Sequence, residues 1–339
     1  MSGPSASLID RLRALSVLHL LYSQLARSRR RYYQHRPHLR RRLTAPVISI
    51  GNLTVGGSGK TPLTAEVARI LIEMGERPAI LSRGYARLKP SEGAVIVSDG
   101  ITVKSDVAHA GDEPFMLTRL VPGASIVVCP SRYLAGRVAE SQLGCTVHVL
   151  DDGFQHFQLE RDIDLLVAPP EDFTPGKTLP FGRLREPIDA ARAADALLVP
   201  GDVVMAADMS DRLKVSPAFT FTRTITGPDA PARVFAFAGI AKPPHFFTEL
   251  ERAGWKVVGR RSYRDHHQYS AAEIGALARA AREAGAEALV TTSKDIVRLS
   301  SAHRTAAHGM PLIEVPLHIS IEPGFRDWIR DRLSKARAA

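Results

Sequence analysis

The stretch Pro46-Val-Ile-Ser-Ile-Gly-Asn-Leu-Thr-Val-Gly-Gly-Ser-Gly-Lys-Thr61 decides the fold. An apolar, β-rich run leads into a glycine-rich turn, and Lys60 and Thr61 then open a helical stretch, which is the layout of a phosphate-binding P-loop. Glycines let backbone N–H groups surround a phosphate at a helix N-terminus, where the helix dipole favours negative charge. The pattern predicts that Lys60 contacts the β- and γ-phosphates and that the Thr61 hydroxyl binds Mg²⁺.

The loop departs from the usual G-x-x-x-x-G-K-[ST] pattern because Thr54 stands where the first glycine is expected. The flanking strand and helix nevertheless favour a P-loop over a chance Gly-Lys-Thr sequence. The predicted nucleotide-binding residues are Thr54, Val55, Gly56, Gly57, Ser58, Gly59, Lys60 and Thr61.

From residue 46 onward the chain alternates β-rich runs with helical stretches. This alternation predicts an α/β fold that is P-loop NTPase-like and doubly wound, with a mostly parallel sheet and a second, smaller α/β domain. The first-block strand candidates are Val47–Ile50, Ala79–Leu81, Ala94–Val97, Ser125–Cys129, Thr146–Leu150, Ile163–Val167 and Ala196–Val199. We expect an N-terminal segment at 1–45, a P-loop core at 46–215, a connecting segment at 216–232 and the smaller domain at 233–339.

The composition is that of a globular protein. Of 339 residues, 45% are hydrophobic and 24% charged, which excludes a wholly disordered chain, a collagen and a coiled coil. Only two cysteines occur, so a disulfide scaffold is not expected and a reducing compartment is.

The positive charge is concentrated at the N-terminus. Residues 1–45 contain ten arginines and one acid, Asp10, and carry +9 of the net charge of +10. Apolar residues recur there at helical spacing, at Leu8, Leu12, Leu15, Leu18, Tyr22 and Leu25. An apolar stripe followed by arginines predicts an amphipathic helix at an anionic membrane surface. Charges interrupt the stretch, so we do not expect it to span a bilayer. A helix packed on its own domain and a nucleic-acid contact remain alternative interpretations.

Three further segments carry groups suited to catalysis. Asp151 and Asp152 end a predicted strand at the sheet edge where the P-loop is expected, so they are candidates for the Mg²⁺ site. A solvated turn is the alternative. Asp112 begins a predicted helix and is either a helix cap or a functional carboxylate. His266 lies in an Asp-His-His sequence, and the residues alone do not distinguish a structural from a catalytic histidine.

Taken together, these motifs resemble those of the tetraacyldisaccharide 4′-kinase family, the lipid A 4′-kinases of Gram-negative bacteria. The matching stretches are Gly51–Pro62, Leu81-Ser-Arg-Gly-Tyr85, Gly111-Asp-Glu-Pro114, Asp151-Asp-Gly-Phe-Gln-His156, Leu184-Arg-Glu-Pro187, Ala238-Gly-Ile240 and Asp265-His-His267. One departure is Thr292-Ser-Lys-Asp295, where the family usually reads Thr-Glu-Lys-Asp, so position 293 carries a hydroxyl in place of the family's carboxylate.

The resemblance implies an ATP- and Mg²⁺-dependent kinase that phosphorylates the 4′-hydroxyl of tetraacyldisaccharide 1-phosphate to give lipid IVA. It implies that Asp112 is the general base and that His266 pairs with it. Further implied site residues are Tyr85, Arg132, Gln155 and Arg185 for substrate or phosphate contacts, and Thr61, Glu113, Asp151 and Asp152 for the metal. The expected location is peripheral, on the cytoplasmic face of the inner membrane, with an acylated lipid substrate, no nucleic acid and no obligate protein partner.

The main alternative is a P-loop GTPase or metallochaperone-like nucleotide switch. Such proteins usually carry an Asn/Thr-Lys-x-Asp guanine motif, and Thr292-Ser-Lys-Asp295 has the wrong spacing for it. No Cys-x-x-Cys sequence or histidine-rich tract suggests metal transfer. The sequence therefore favours the kinase interpretation.

Overall fold

A computed structural model describes residues 5–56, 59–85, 87–90, 92–174, 176–228 and 233–338, with side chains from residue 19 onward. The α-helices are α1 Ser5–Gln34, α2 Lys60–Glu73, α3 Val107–Ala110, α4 Asp112–Leu120, α5 Arg132–Leu143, α6 Val203–Leu213, α7 Pro243–Arg252, α8 Ala271–Glu283, α9 Ser293–Ile296, α10 Ser301–Ala306 and α11 Gly324–Ala338. The strands are β1 Val47–Gly51, β2 Pro78–Ser82, β3 Val95–Asp99, β4 Ser125–Val128, β5 Val147–Asp151, β6 Ile163–Val167, β7 Ala196–Pro200, β8 Ala218–Ile225, β9 Arg233–Ala238, β10 Lys256–Ser262, β11 Ala288–Thr292, β12 Leu312–Val315 and β13 Leu317–Ile321.

The larger sheet has nine strands in the order β13-β8-β7-β6-β1-β5-β2-β4-β3. Parallel pairing joins β1 to β6, β6 to β7, β7 to β8 and β2 to β4, whereas β3 is antiparallel to β4. Every residue of β1, β5 and β6 is buried, as expected for inner strands of a parallel sheet covered on both faces. The seven strand candidates of the first block correspond to β1–β7. The expected α/β class, with a large, mostly parallel sheet and a second, smaller sheet, is confirmed.

The smaller sheet has four parallel strands in the order β10-β9-β11-β12. Side chains alternate along β9, because successive residues of a strand point to opposite faces. Val234, Ala236 and Ala238 pack with α7, whereas Phe235 and Phe237 pack with α8. Apolar residues on both faces of β9 therefore bury the sheet between two helical layers.

The chain divides into two compact units, each built from segments that are separate in sequence. Unit 1 comprises Met1–Lys60, Leu150–Phe221 and Glu322–Ala339, and unit 2 comprises Thr61–Val149 and Thr222–Ile321. The structure differs here from the continuous segments expected from the sequence. Residues 218–225 of the expected connecting segment form β8, whose inward residues Phe219 and Phe221 alternate with more exposed ones. Residues 229–232 of that segment lie outside the described part of the chain.

The C-terminal helix α11 belongs to unit 1 because of its contacts with β8. The Phe219 ring lies 5.3 Å from Phe325 and 5.4 Å from Trp328, measured between ring centroids. Glu322, just before α11, accepts hydrogen bonds from the backbone N–H and the hydroxyl of Thr220 at 2.8 and 2.5 Å. Aromatic packing and these hydrogen bonds hold the chain end on unit 1.

Helix α1 is continuous over its thirty residues, and its described part packs on unit 1 through polar groups. Arg30 donates two hydrogen bonds to the Glu186 carboxylate, at 2.7 and 2.8 Å, with both side chains buried. Ser23 contacts Thr178 at 2.8 Å, and Tyr22 donates to the Arg185 carbonyl at 3.1 Å. The helix is thus anchored to the segment that carries Arg185.

The exposed side of α1 carries leucines. Leu20, Leu21 and Leu25 are more than half exposed. The side chains of Leu8, Leu12, Leu15 and Leu18, which belong to the predicted stripe, lie outside the described part of the chain. Among the described helices, none is both long enough and apolar enough to cross a bilayer, as the sequence predicts.

Candidate active site

The predicted phosphate loop lies between the end of β1 at Gly51 and the start of α2 at Lys60. A Cβ atom at Gly51 would lie 2.6 Å from the Cβ of Phe154, so only glycine allows this close approach. Gly56 and Gly59 have φ angles of 100° and 74°, which other residues rarely adopt. Gly57 and Ser58 lie outside the described residues. The strand, loop and helix therefore follow one another as the sequence predicts.

Lys60 is surrounded by polar groups of unit 1. Its ammonium donates to Asn52 Oδ1 at 3.1 Å and lies 3.5 Å from Asp152 Oδ1. Arg185 Nη1 donates to Asp152 Oδ2 at 2.8 Å and to Gln155 Oε1 at 3.4 Å. We call Asn52, Lys60, Asp152, Gln155 and Arg185 the phosphate-loop cluster. Two cations meet one carboxylate there, so the cluster suits a polyphosphate.

Asp152 is held in its charged form by these cations. Burial by itself would raise the pKa of Asp152, but the charges of Lys60 and Arg185 outweigh burial and hold that pKa below its ordinary value. Asp152 has a φ of 55°, in the left-handed region that Asp tolerates better than most residues. Asp151 is buried and Asp152 is only partly exposed, so a turn in which both carboxylates are solvated does not describe these residues.

Thr54, which replaces the usual first glycine, fixes the loop to a neighbouring segment. Its backbone bridges to Leu184, and its buried hydroxyl donates to Asp172 Oδ2 at 2.6 Å. Arg183 Nη1 binds the other Asp172 oxygen at 3.1 Å, and the Val55 N–H donates to the Arg183 carbonyl at 2.7 Å. Nothing in the loop motif indicates Asp172 or Arg183, so neither is among the residues predicted from the sequence.

Asp112 lies in unit 2 as the first residue of α4 and is buried. The helix cap is Gly111 and no side chain caps it, so the capping interpretation of Asp112 is wrong. Instead, Asp112 Oδ2 contacts His266 Nδ1 at 3.1 Å and accepts from Arg298 Nε at 2.7 Å. Within the described part of the chain no hydrogen bond reaches Asp112 Oδ1. One carboxylate oxygen is thus held while the other remains available.

The surroundings of Asp112 keep it ionised at neutral pH. Burial by itself would raise the pKa of Asp112, but the hydrogen bond from His266 and the charge of Arg298 hold it below its ordinary value. The ring of Tyr85, which is 71% exposed, lies edge-on to His266 with 5.9 Å between centroids. The predicted partners Asp112 and His266 are therefore neighbours, with Tyr85 beside them.

A second layer of charged residues surrounds this pair. Lys294 Nζ lies 3.2 Å from Glu113 Oε1, from Asp265 Oδ1 and from His266 Nε2. Arg298, whose side chain is fully buried, also donates to Asp295 Oδ1 at 3.1 Å. Neither Lys294 nor Arg298 is among the site residues predicted from the sequence, although Lys294 lies in the segment Thr292-Ser-Lys-Asp295 that departs from the family pattern. Ser293 itself is buried, and its hydroxyl has no hydrogen-bond partner among the described residues.

The remaining predicted site residues lie on α2, on α5 and in the loop after β5. Thr61 is the second residue of α2 and is buried. Arg132 begins α5, is buried, and donates to the Pro130 carbonyl at 3.4 Å. Gln155 donates to the Asn52 carbonyl at 3.0 Å and so belongs to the phosphate-loop cluster. The roles assigned to these residues stay predictions.

The residues fit a magnesium ion that arrives with a nucleotide. No group of three or more His, Cys, Asp or Glu side chains in the described ranges is arranged to hold a metal. Mg²⁺ usually takes only one or two protein carboxylates and completes its shell with water and phosphate oxygens. Asp151 ends β5, which neighbours β1 in the sheet, and Thr61 follows Lys60. Oxygen ligands of this kind suit Mg²⁺, while the Glu113 carboxylate is paired with Lys294.

Comparison with known proteins gives one consistent result. The family model described as LpxK, tetraacyldisaccharide-1-P 4′-kinase, matches residues 11–334. The tetraacyldisaccharide 4′-kinase of Pelobacter propionicus is 40% identical, covering 98% of this chain and 96% of that protein. The tetraacyldisaccharide 4′-kinase of Geobacter sulfurreducens is 38% identical, covering 94% and 95%. The crystal structure of an "apo" form of LpxK from Aquifex aeolicus in complex with ATP is similar at a TM-score of 0.75 and 29% identity, covering 95% of this chain and 99% of that one.

Proposed function

The chain belongs to the tetraacyldisaccharide 4′-kinase family, and we propose that it transfers the γ-phosphoryl group of ATP to the 4′-hydroxyl of tetraacyldisaccharide 1-phosphate, giving lipid IVA. The observation that carries this proposal is the family match over residues 11–334, a range that contains every site residue predicted from the sequence. Relatives named as this kinase cover nearly the whole chain, so the similarity extends well beyond a nucleotide loop.

The phosphate-loop cluster supports the role of phosphoryl donor site. The relative from Aquifex aeolicus was solved in complex with ATP, which supports ATP as the nucleotide here. Lys60 and Arg185 supply positive charge, and the N-terminus of α2 supplies backbone dipoles. Thr61, Asp151 and Asp152, with Glu113 as a further candidate, would hold Mg²⁺. When bound, that ion would neutralise negative charge that develops on the transferring phosphoryl group.

The Asp112 carboxylate supports the role of general base. A sugar hydroxyl has a pKa far above 7, so its proton must be accepted as the new bond to phosphorus forms. The hydroxyl oxygen forms a bond to the γ-phosphorus of ATP. The bond between the γ-phosphorus and the oxygen that bridges it to the β-phosphorus breaks, and its electron pair leaves with ADP. The hydroxyl proton passes to Asp112 Oδ1. His266 and Arg298 hold Oδ2, so Oδ1 keeps its orientation.

The exposed face of α1 supports attachment to a membrane surface. Leu20, Leu21 and Leu25 are exposed, and so are Arg29 and Arg31 nearby. Apolar residues next to arginines favour the interface of an anionic bilayer. We therefore place the protein peripherally on the cytoplasmic face of the inner membrane, where it meets its acylated substrate. The proposed reaction requires no nucleic acid and no obligate protein partner.

The nucleotide-switch alternative is not favoured. In Thr292-Ser-Lys-Asp295, the segment most like a guanine motif, Lys294 is engaged by Glu113, Asp265 and His266. Asp295 is fully buried and accepts from the Gly239 N–H and the Tyr269 hydroxyl. Both side chains are committed within unit 2, so neither is free to read a base.

The direct test is phosphate transfer from γ-labelled ATP to tetraacyldisaccharide 1-phosphate in mixed micelles with Mg²⁺. The proposal predicts a labelled lipid with wild type and a loss of about 10²–10⁴-fold in rate with Lys60→Ala and Asp112→Asn. Lys335→Ala and Asp331→Asn are matched controls, because these two residues form an exposed ion pair on α11 and should leave the rate unchanged. A folded preparation that hydrolyses nucleotide but never labels the lipid would contradict the assignment of the acceptor.

A further inference from the structure

Lys294 contacts three hydrogen-bond acceptors in unit 2. Its ammonium lies 3.2 Å from Glu113 Oε1, 3.2 Å from Asp265 Oδ1 and 3.2 Å from His266 Nε2. A lysine ammonium carries three N–H donors and no acceptor. Each contact therefore uses one hydrogen of the ammonium, and His266 Nε2 must be the acceptor in its contact.

This requirement fixes the position of the proton on the imidazole ring. A ring nitrogen that accepts a hydrogen bond carries no proton, so the proton of the ring lies on Nδ1. His266 Nδ1 faces Asp112 Oδ2 at 3.1 Å, and a carboxylate oxygen is an acceptor. The contacts on the two sides of the ring thus specify the same tautomer independently.

The position of Lys294 is itself well defined. Its side chain is only 17% exposed, and it lies on the short helix α9. The hydroxyl of Thr292 caps this helix by accepting from the Asp295 N–H at 3.2 Å. Asp295 is fully buried and pairs with Arg298, which also holds Asp112. Thr292 and Asp295, on either side of Lys294 in sequence, are therefore fixed by these contacts, and Asp295 is linked to Asp112 through Arg298.

We propose that Lys294 is a positioning residue that keeps His266 in the Nδ1–H tautomer, so that the ring donates to Asp112 Oδ2 and leaves Oδ1 to the substrate hydroxyl. This inference rests on the proposed role of Asp112 as the base. It assigns to Lys294 an action on His266, with no contact to either substrate.

Other groups near the ring would not produce the same effect. The Asp265 carboxylate lies 3.9 Å from His266 Nε2, and the ring of Tyr85 lies edge-on to the imidazole. Without the ammonium, Nε2 would face a carboxylate, which favours an N–H on that nitrogen. With the ammonium present, a proton on Nε2 would point an N–H donor at the N–H that Lys294 directs toward the ring. Lys294 therefore decides which nitrogen carries the proton.

The test is the protonation pattern of His266 in long-range ¹H–¹⁵N correlation spectra of the full-length protein with labelled histidine, without nucleotide or lipid. The His266→Gln spectrum identifies the His266 signals among those of the twelve histidines. In wild type we expect a proton on Nδ1 and none on Nε2. In Lys294→Met, which keeps an unbranched side chain but no donor, we expect Nε2 to gain a proton. A protonated Nε2 in wild type, or an unchanged pattern in Lys294→Met, would overturn the inference.

A second variant keeps the test informative if Lys294→Met does not fold. Lys294→Arg retains a side chain that only donates, so its His266 should keep the wild-type pattern. A protonated Nε2 in folded Lys294→Arg would count against the inference, as it would in wild type. Because these spectra require no turnover, they separate a failure of this inference from a failure of the proposed kinase activity.

Kinetics supply the functional half of the test. In the lipid phosphorylation assay, Lys294→Met should lower kcat by about tenfold to a hundredfold, as loss of an outer partner of a catalytic group commonly does. The KM for ATP should stay within roughly twofold, because the change affects the transition state alone. Lys335→Met makes the same replacement at an exposed ion pair and should change neither value. A raised KM with unchanged kcat would show that Lys294 acts in binding and would overturn the positioning role.

Discussion

Replacing Arg298 by methionine should destabilise unit 2 strongly. The Arg298 side chain is fully buried between Asp112 at 2.7 Å and Asp295 at 3.1 Å, and Nη1 also donates to the Gly239 carbonyl at 3.2 Å. Methionine matches the length of the apolar stem but supplies no donor, so two buried carboxylates lose their shared cation.

The size of the effect follows from this burial. Removing one partner of a buried ion pair costs about 3–5 kcal/mol, because the remaining charge is left without compensation. The same change at an exposed pair costs at most about 1 kcal/mol. Arg330→Met is the matched control, since Arg330 pairs with Asp327 on the surface of α11, where both side chains are more than half exposed. We expect a difference of at least about 2 kcal/mol between the two variants.

The assay is urea unfolding followed by circular dichroism, with the midpoint and the slope m fitted for each variant. An unchanged m with a lower midpoint means that stability itself has fallen. Arg298→Lys keeps a charge but loses the planar fork, so its midpoint should lie between those of wild type and Arg298→Met. Equal midpoints for Arg298→Met and Arg330→Met would refute the reasoning.

Three further predictions concern other parts of the molecule. Arg30→Met and Glu186→Gln should each lower the free energy of unfolding by about 3–5 kcal/mol, because each breaks the buried ion pair that anchors α1. In a double-mutant cycle, the double variant should lose less stability than the sum of the two single variants. Thr54→Val should cost about 1–3 kcal/mol because a buried Asp172 oxygen loses its donor, and Thr54→Ser should restore most of that loss in the same unfolding assay. The pKa of Asp112 lies below its ordinary value of 3.8, so the stability that this carboxylate contributes is present above pH 4 and is lost as the pH falls through the folded-state pKa. The stability difference between wild type and Asp112→Asn should therefore shrink below about pH 4, and a difference that stays constant down to pH 2 would contradict the environment described for Asp112.

The sequence specifies the fold most clearly where local patterns carry it. The runs that form β1, β2 and β4–β7 are apolar throughout or nearly so, which is the signature of strands buried on both faces. The glycine-rich turn before Lys60 is likewise predicted from the local sequence, because the positive φ angles at Gly56 and Gly59 favour glycine. By contrast, β8 is half exposed and follows Pro217, and its weaker alternation predicts a connecting segment.

The contact between Asp112 and His266 could not be found from local patterns. Asp112 and His266 are 154 positions apart, and only the resemblance to a family suggested that they meet. Arg298 lies 186 positions from its partner Asp112, in a stretch with no recognised motif. Contacts of this kind depend on the tertiary fold, which brings together residues that are distant in sequence. Hydrophobic periodicity and motif spacing do not predict them.

The N-terminal helix shows a different limit. Helical spacing predicts an apolar face on α1, with a membrane surface as the expected contact and its own domain or nucleic acid as alternatives. The described part is held instead by Ser23 and Arg30, whose partners Thr178 and Glu186 lie far along the chain, while Leu25 stays exposed. Hydrophobic periodicity therefore does not predict polar contacts whose partners are distant in sequence.

The most direct test of the central claim is the identity of the product, measured by phosphorus NMR after incubation with ATP, Mg²⁺ and tetraacyldisaccharide 1-phosphate. Wild type should yield a lipid with a second phosphate ester at the 4′ oxygen, together with one ADP per phosphate transferred. Folded Asp112→Asn should yield almost none under the same conditions. A lipid that keeps a single phosphate while ATP is consumed, or a second phosphate at any other oxygen, would contradict the account.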